Sequence, residues 1–160
     1  MALKAVKLIA VNVMIIRPVQ TSDFNSWKQM RNQLWPSSED EHYSELTAFF
    51  AGDSIDIEVC FVIEDNAGDL LGFIELNIRN FAEGSRQEAV PYVEGWFIKS
   101  AVRGQGWGTQ LMKKAESWAK KLGFSELASD TEIDNHKSIA IHEHLGFQET
   151  ERVVCFLKKL

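Results

Sequence analysis

The segment Val102-Arg103-Gly104-Gln105-Gly106-Trp107-Gly108-Thr109 constrains this chain more than any other stretch. Its glycines alternate between a run that reads as a strand, Val90 to Ile98, and a run of strong helical periodicity that begins near Gly106. That spacing lets the backbone turn while several N–H groups point one way, and the helix start adds the positive end of its dipole. The result is a cradle suited to a pyrophosphate; a tight strand-to-helix turn accounts for the glycines alone equally well. Two other phosphate-binding designs do not fit. A P-loop ends in Gly-Lys-Ser/Thr, whereas Gly108 is followed by Thr109-Gln110. A dinucleotide fold needs G-x-G-x-x-G early in a βαβ unit with an acidic residue ~20 positions on, and the spacing here differs.

Hydrophobic periodicity divides the rest. Residues 14–19 read as a short strand ended by Pro18, and Thr21 or Ser22 caps a helix with Phe24, Trp27, Met30 and Leu34 on one stripe, stopped by Pro36. Glu39 to Ala51 reads as an acidic helix with Leu46, Phe49 and Phe50 inward, broken by Gly52. Ile57 to Glu64 and Leu70 to Arg79 form an antiparallel pair around Asn66-Ala67-Gly68. After Val90 to Ile98 comes a helix with Leu111, Met112, Ala115, Trp118, Ala119 and Leu122 on one face, ended by Gly123. Phe124 to Ala128 reads as a strand, Asn135 to Leu145 as a helix closed by Gly146, and Phe147 to Leu157 as a last strand that buries Cys155. Strands and helices do not alternate strictly, so the expected class is α/β with a mixed sheet.

A chain of 160 residues, 45% apolar, has material for one domain with a real core. Seventeen Lys and Arg against 23 Asp and Glu give a formal charge of −6, which disfavours nucleic acid and attracts cations over ~8–10 Å. Cys60 and Cys155 form neither a disulfide framework nor a zinc pattern, which fits a reducing cytoplasm. His142 and His144 are two residues apart and do not share a helix face, so no metal site is expected. Residues 1–13 imitate an export signal through Lys4, Lys7 and a short apolar run, but Asn12 interrupts the run and no cleavage site follows. The run is far below the ~20 apolar residues of a membrane span, so no membrane partner is expected. Residues 1–13 are therefore read as an upstream extension, and residues 14–160 as a single domain.

The glycine segment resembles the acyl-CoA loop of the GNAT acetyltransferases, Arg/Gln-x-x-Gly-x-Gly/Ala, here Arg103-x-x-Gly106-x-Gly108. The likeness continues in the strand Glu94-Gly-Trp-Phe-Ile98, in Asn135 at the start of the next helix, and in Leu145-Gly-Phe147. Met30-Arg-Asn-Gln-Leu-Trp-Pro36, Val93-Glu-Gly95, Ala128-Ser-Asp-Thr131 and Leu145-Gly-Phe-Gln-Glu-Thr-Glu-Arg152 are similar to the aminoglycoside 6′-N-acetyltransferases. The resemblance implies the GNAT fold, a mostly antiparallel sheet with helices on both faces. It also implies acetyl-CoA as cosubstrate, a cationic aminoglycoside as acceptor, and a homodimer. By the same resemblance the main chain of Trp96, Phe97 and Ile98 binds the pantetheine arm and acetyl carbonyl. Arg103, Gly104, Gln105, Gly106, Trp107, Gly108 and Thr109 hold the pyrophosphate, and Asn135 touches CoA. Trp35, His42, Phe81, Glu94, Asp130 and Glu151 line the acceptor site.

Those residue types suit the chemistry, since a polycation rich in hydroxyls calls for carboxylates and flat apolar surfaces. Structural roles stand beside each: Glu94 as a solvated strand residue, Asp130 as a turn cap, Glu151 as a partner of Arg152, and Trp35 as core. An alkyl ammonium with a pKa near ~10.4 costs about 4–5 kcal/mol to present neutral at pH 7, and nearby carboxylates raise that cost. Glu94 or Asp130 is expected to accept the proton. Relatives tend to carry a tyrosine on the last strand to protonate the departing thiolate. This chain has only Tyr43 and Tyr92, and that strand reads Val154-Cys155-Phe156, so the acid is unassigned. Acetylation of another amine, such as a polyamine or peptide N-terminus, and acyl-CoA binding without catalysis are the competing functions.

Overall fold

The computed structural model describes residues 13–36 and 39–160; of the expected extension 1–13, all but Val13 lies outside them. The elements are β1 (Ile15–Pro18), α1 (Phe24–Leu34), α2 (Glu39–Ala51), β2 (Val59–Glu64), β3 (Leu70–Arg79), β4 (Val90–Ile98), α3 (Trp107–Lys121), β5 (Ala128–Ser129) and α4 (His136–His144). The strands form one sheet in the order β1-β2-β3-β4-β5, antiparallel except for the parallel pair of β4 and β5. This is the mixed, mostly antiparallel sheet expected.

Side chains alternate between the two faces of the sheet, so each strand feeds two cores. Cys60, Val62 and Phe73 pack with Trp27, Met30 and Leu46 of α1 and α2. Phe61, Ile63 and Ile74 pack on the other face with Leu111, Met112 and Ala115 of α3. Helices therefore cover both faces. The stripe on α3 is shorter than its periodicity suggests, because Leu122 caps the helix end and is exposed.

Three local expectations need correction. The first helix is opened by Asp23 rather than Thr21 or Ser22: the Asp23 carboxylate accepts the Gln20 N–H at 2.8 Å and is held by the Arg17 guanidinium, which also pairs with Glu64. The strand expected over Phe124–Ala128 contracts to Ala128–Ser129, because the Phe124 N–H is spent on the Ala119 carbonyl, closing α3. The last strand, Phe147–Leu157, does not form. Phe147 closes α4 through the His142 carbonyl, residues 148–160 follow without regular structure, and Cys155 is exposed rather than buried. Alternating apolar residues make a strand only where another strand offers its edge.

One polar cluster sits inside the α1 side of the core. Glu75 on β3 is buried, accepting the Trp27 indole N–H at 2.7 Å and pairing with Arg31 Nε at 2.9 Å; Arg31 Nη1 reaches Glu45 at 2.5 Å. Burial pushes the Glu75 carboxyl up to about 7, against the pull of Arg31 and Trp27. From its ordinary 4.5 up to about 7, the folded chain holds a proton that the unfolded chain has lost, so this group makes stability fall as pH rises through that window. Between about pH 5 and about pH 7.5, urea unfolding is expected to show wild type losing ~1–3 kcal/mol relative to Glu75→Gln. Parallel pH profiles for the two proteins would contradict this.

Candidate active site

The site begins with a mismatch between two strands. Glu75 opposes Gly95 and Leu76 opposes Val93, which leaves Glu94 as one residue more than β3 can pair. Such a bulge bends the strand and re-aims a side chain. On its other side β4 pairs with β5 only at Tyr92–Ala128 and Val93–Ser129, so past Val93 that edge has no neighbouring strand among the described residues. The Lys99 N–H donates to the Leu71 carbonyl at 2.8 Å, which by alternation turns the Phe97 main chain toward β3 and that of Trp96 and Ile98 toward the open edge. Arg103 Nε, reaching back from the glycine turn, already donates to the Ile98 carbonyl at 2.7 Å.

The glycines serve two different needs. Gly104 and Gly106 take φ of +75° and +85°, which side chains rarely adopt, and Gly106 is the residue on which α3 starts, with no side chain capping its free N–H groups. Gly108 is needed for closeness instead: a Cβ there would lie 3.0 Å from Trp96 Cζ2. Trp96 Nε1 is buried and has no hydrogen-bond partner among the described residues. Free N–H groups at a helix start, an open strand edge and an orphaned indole N–H suit a ligand with a diphosphate at one end and amides along its arm. Asn135 caps α4 by accepting the Ser138 N–H at 3.1 Å, and Gln105 donates to the Ala101 carbonyl at 3.4 Å. Trp107 packs in part against the α3-side core, and Thr109 follows it within the first turn of α3.

Beyond the bulge the acidic residues meet. Arg79, the last residue of β3, grips Glu94 with both arms of its guanidinium at 2.7 and 2.5 Å. The guanidinium lies 3.6 Å from the centre of the Tyr92 ring, and the Tyr92 hydroxyl donates to Asp130 at 2.9 Å. The two carboxylates are thus joined through one arginine and one tyrosine. Burial and the Asp130 charge push the Tyr92 phenol well above its ordinary range, so it remains a donor. Trp35 covers Gly95, where a Cβ would overlap Trp35 Cη2, and His42 Nε2 lies 2.9 Å from the Trp35 carbonyl.

Glu94 and Asp130 are therefore brought together, while Trp35 lies over Gly95, the next residue along β4, with His42 on its carbonyl. Phe81 and Glu151 are exposed, and no hydrogen bond, ion pair or ring contact ties either to that group. Arg152, the alternative partner for Glu151, pairs with Glu149 at 2.6 Å. Sequence reasoning missed Arg79 and the role of Tyr92, whose partners depend on strand register. It also missed Ser129 and His142, set aside because histidine spacing was read only for metal. Ser129, opposite the last paired residue of β4, has its hydroxyl 2.8 Å from His142 Nε2. His142 Nδ1 lies 2.8 Å from the Ser138 carbonyl, so Nδ1 carries the proton and Nε2 accepts from Ser129. The imidazole stands edge-on to Trp96 at 5.8 Å. Among the described residues no three His, Cys, Asp or Glu gather as a metal site would require.

Residues 24–147 match the model of the acetyltransferase (GNAT) family. The chain is 40% identical over 147 residues to an aminoglycoside N(6′)-acetyltransferase type 1 of Klebsiella aerogenes, covering 91% of this chain and 97% of that protein. Its fold superposes on the crystal structure of the aminoglycoside 6′-N-acetyltransferase AAC(6′)-IG from Acinetobacter haemolyticus with a TM-score of 0.83 at 34% identity, over 91% of this chain and 99% of the other. It is also similar to AAC(6′)-Iy in complex with the bisubstrate analogue CoA-S-monomethyl-acetylneamine, with a TM-score of 0.82 at 31% identity over 92% of this chain and 99% of the other.

Replacing Gly95 by alanine forces a methyl into the space of the Trp35 ring and is expected to cost ~1–3 kcal/mol in urea unfolding. Unchanged stability would mean that Trp35 does not lie over β4.

Proposed function

The chain belongs to the acetyltransferase (GNAT) family and, within it, to the aminoglycoside 6′-N-acetyltransferases, and on that basis we propose that residues 14–160 form a domain that moves acetyl from acetyl-CoA to the 6′-amine of an aminoglycoside by direct attack with both substrates bound. The observation that carries this is the bulge at Glu94, the residue at which the open edge of β4 begins. Acetyl-CoA supplies the acetyl group as a thioester. The turn Arg103–Thr109 and the start of α3 hold its diphosphate, Asn135 touches CoA, and the N–H groups of Trp96 and Ile98 take its arm. Donors fixed in that way also stabilise negative charge developing on a carbonyl oxygen. Glu94 and Asp130 hold the acceptor ammonium and one of them removes its proton, with Trp35 flanking a sugar face and His42, Phe81 and Glu151 completing the lining. In place of the absent tyrosine, the Ser129 hydroxyl at the apex where β4 and β5 part gives its proton to the leaving thiolate, and a proton taken up from solvent at His142 Nε2 replaces it on the hydroxyl.

A homodimer completes the sheet in this proposal. Val154, Phe156 and Leu157 are 76%, 92% and 93% exposed on a segment without regular structure. A groove of about 540 Å³, lined among others by Ala128, Ser129 and Phe147, runs beside β5 and suits the terminal segment of a second copy. Cytoplasmic residence rests on the two free cysteines, one of them exposed; recovery from an oxidising compartment would oppose it. No described helix is long and apolar enough to cross a membrane.

Thiol release is expected with 6′-amino aminoglycosides and not with 6′-hydroxyl ones. Alanine at Glu94 or Asp130 should lower kcat/KM at least about tenfold, and phenylalanine at His142 should lower kcat by roughly 10²-fold, with acetyl-CoA affinity within about threefold of wild type. Turnover of polyamines or peptide amines alone would give the other acetyltransferase function. Acetyl-CoA binding without turnover of any amine would give a binding module. Light scattering should return twice the mass of one chain, and Phe156→Asp should return a monomer; a wild-type monomer would remove the dimer.

A further inference from the structure

Arg79 is a cation fixed inside a site proposed to receive a polycation. Its guanidinium saturates one face of Glu94 with two charge-assisted hydrogen bonds and rests on Tyr92, whose hydroxyl is bound to Asp130. The side chain is 38% exposed against 17% for Glu94, so the arginine lies on the solvent side of the carboxylate it holds. An incoming ammonium meets Glu94 already occupied. We propose that Arg79 acts as a resident counter-ion that an acceptor must displace from Glu94, so that an acceptor binds with net gain only through further ammonium contacts. This rests on the acceptor chemistry proposed above.

The need for further contacts follows from an exchange of partners. A monoamine that displaces Arg79 trades a planar, two-bond pair for a single hydrated ammonium and gains nothing net. A polycation makes the same trade at Glu94 but adds contacts to Asp130 and the surrounding negative field, which the trade leaves intact. The displaced guanidinium needs no large movement, because the Tyr92 ring face remains beneath it and solvent lies beyond.

The test compares wild type, Arg79→Gln and Arg79→Lys, each with acetyl-CoA, on a 6′-amino aminoglycoside and on a methyl 6-amino-6-deoxyhexoside, which carries one amine. Arg79→Gln is expected to lower KM about tenfold or more for the monoamine and by at least the same factor for the aminoglycoside, since both are relieved of the same competitor at Glu94. Its aminoglycoside KM should also depend more steeply on salt, since the site gains one net negative charge. Arg79→Lys, a cation without the planar fork, should fall between the two. A rise in both KM values, or no fall in either, overturns the proposal, because Arg79 would then be contacting the acceptor or serving the fold. Should wild type turn over no aminoglycoside, the acceptor chemistry fails on that result alone. The same wild-type to variant change is then read from calorimetric binding of the two amines, which still decides whether Arg79 competes for Glu94.

Discussion

The structure depends on β4 holding one more residue than β3 can pair. The surplus at Glu94 bends the strand where its other partner, β5, ends at Ser129. On one side of that point Tyr92, Arg79 and Asp130 gather with Glu94; on the other the main chain of Trp96 and Ile98 runs along an open edge toward the glycine turn. An acyl carrier and a cation are thus given adjacent places by a single irregularity of pairing. The surroundings hold it in place. Glu75 opposes Gly95 from β3 and is anchored by Trp27 and Arg31, and Trp35 covers Gly95.

Charge sets the second constraint. Carboxylates that bind an ammonium also oppose its deprotonation, which already costs about 4–5 kcal/mol at neutral pH. Counting Glu94, Asp130 and Arg79, the site carries one net negative charge rather than two. The arginine thereby softens the conflict between holding the amine and making it nucleophilic. Tyr92 contributes without adding charge, since its phenol is held protonated by burial and by Asp130.

Periodicity made the long elements readable from sequence. Glu39–Ala51, Leu70–Arg79 and Val90–Ile98 have the expected bounds because their apolar residues meet a core at each step. It failed over 124–127, where the Phe124 N–H is spent on closing α3, and over 147–157, where apolar residues recur but no strand edge among the described residues receives them. The glycine turn was readable for a local reason: left-handed backbone at Gly104 and Gly106 and the close approach at Gly108 each demand glycine. The grip of Arg79 on Glu94 was not, because a two-residue change of register would separate them, and register is decided by the whole hairpin. Ser129 and His142 meet across two elements, which no spacing rule for one helix reveals.

Amide hydrogen exchange followed residue by residue, with and without acetyl-CoA, tests this arrangement most directly. Protection should rise at Trp96, Ile98 and the turn from Gly104 to Thr109, while the Phe97 amide, already turned toward β3, should change little. Protection confined to other elements, or none along β4 and the glycine turn, would contradict the placement of the acyl carrier on which the site is built.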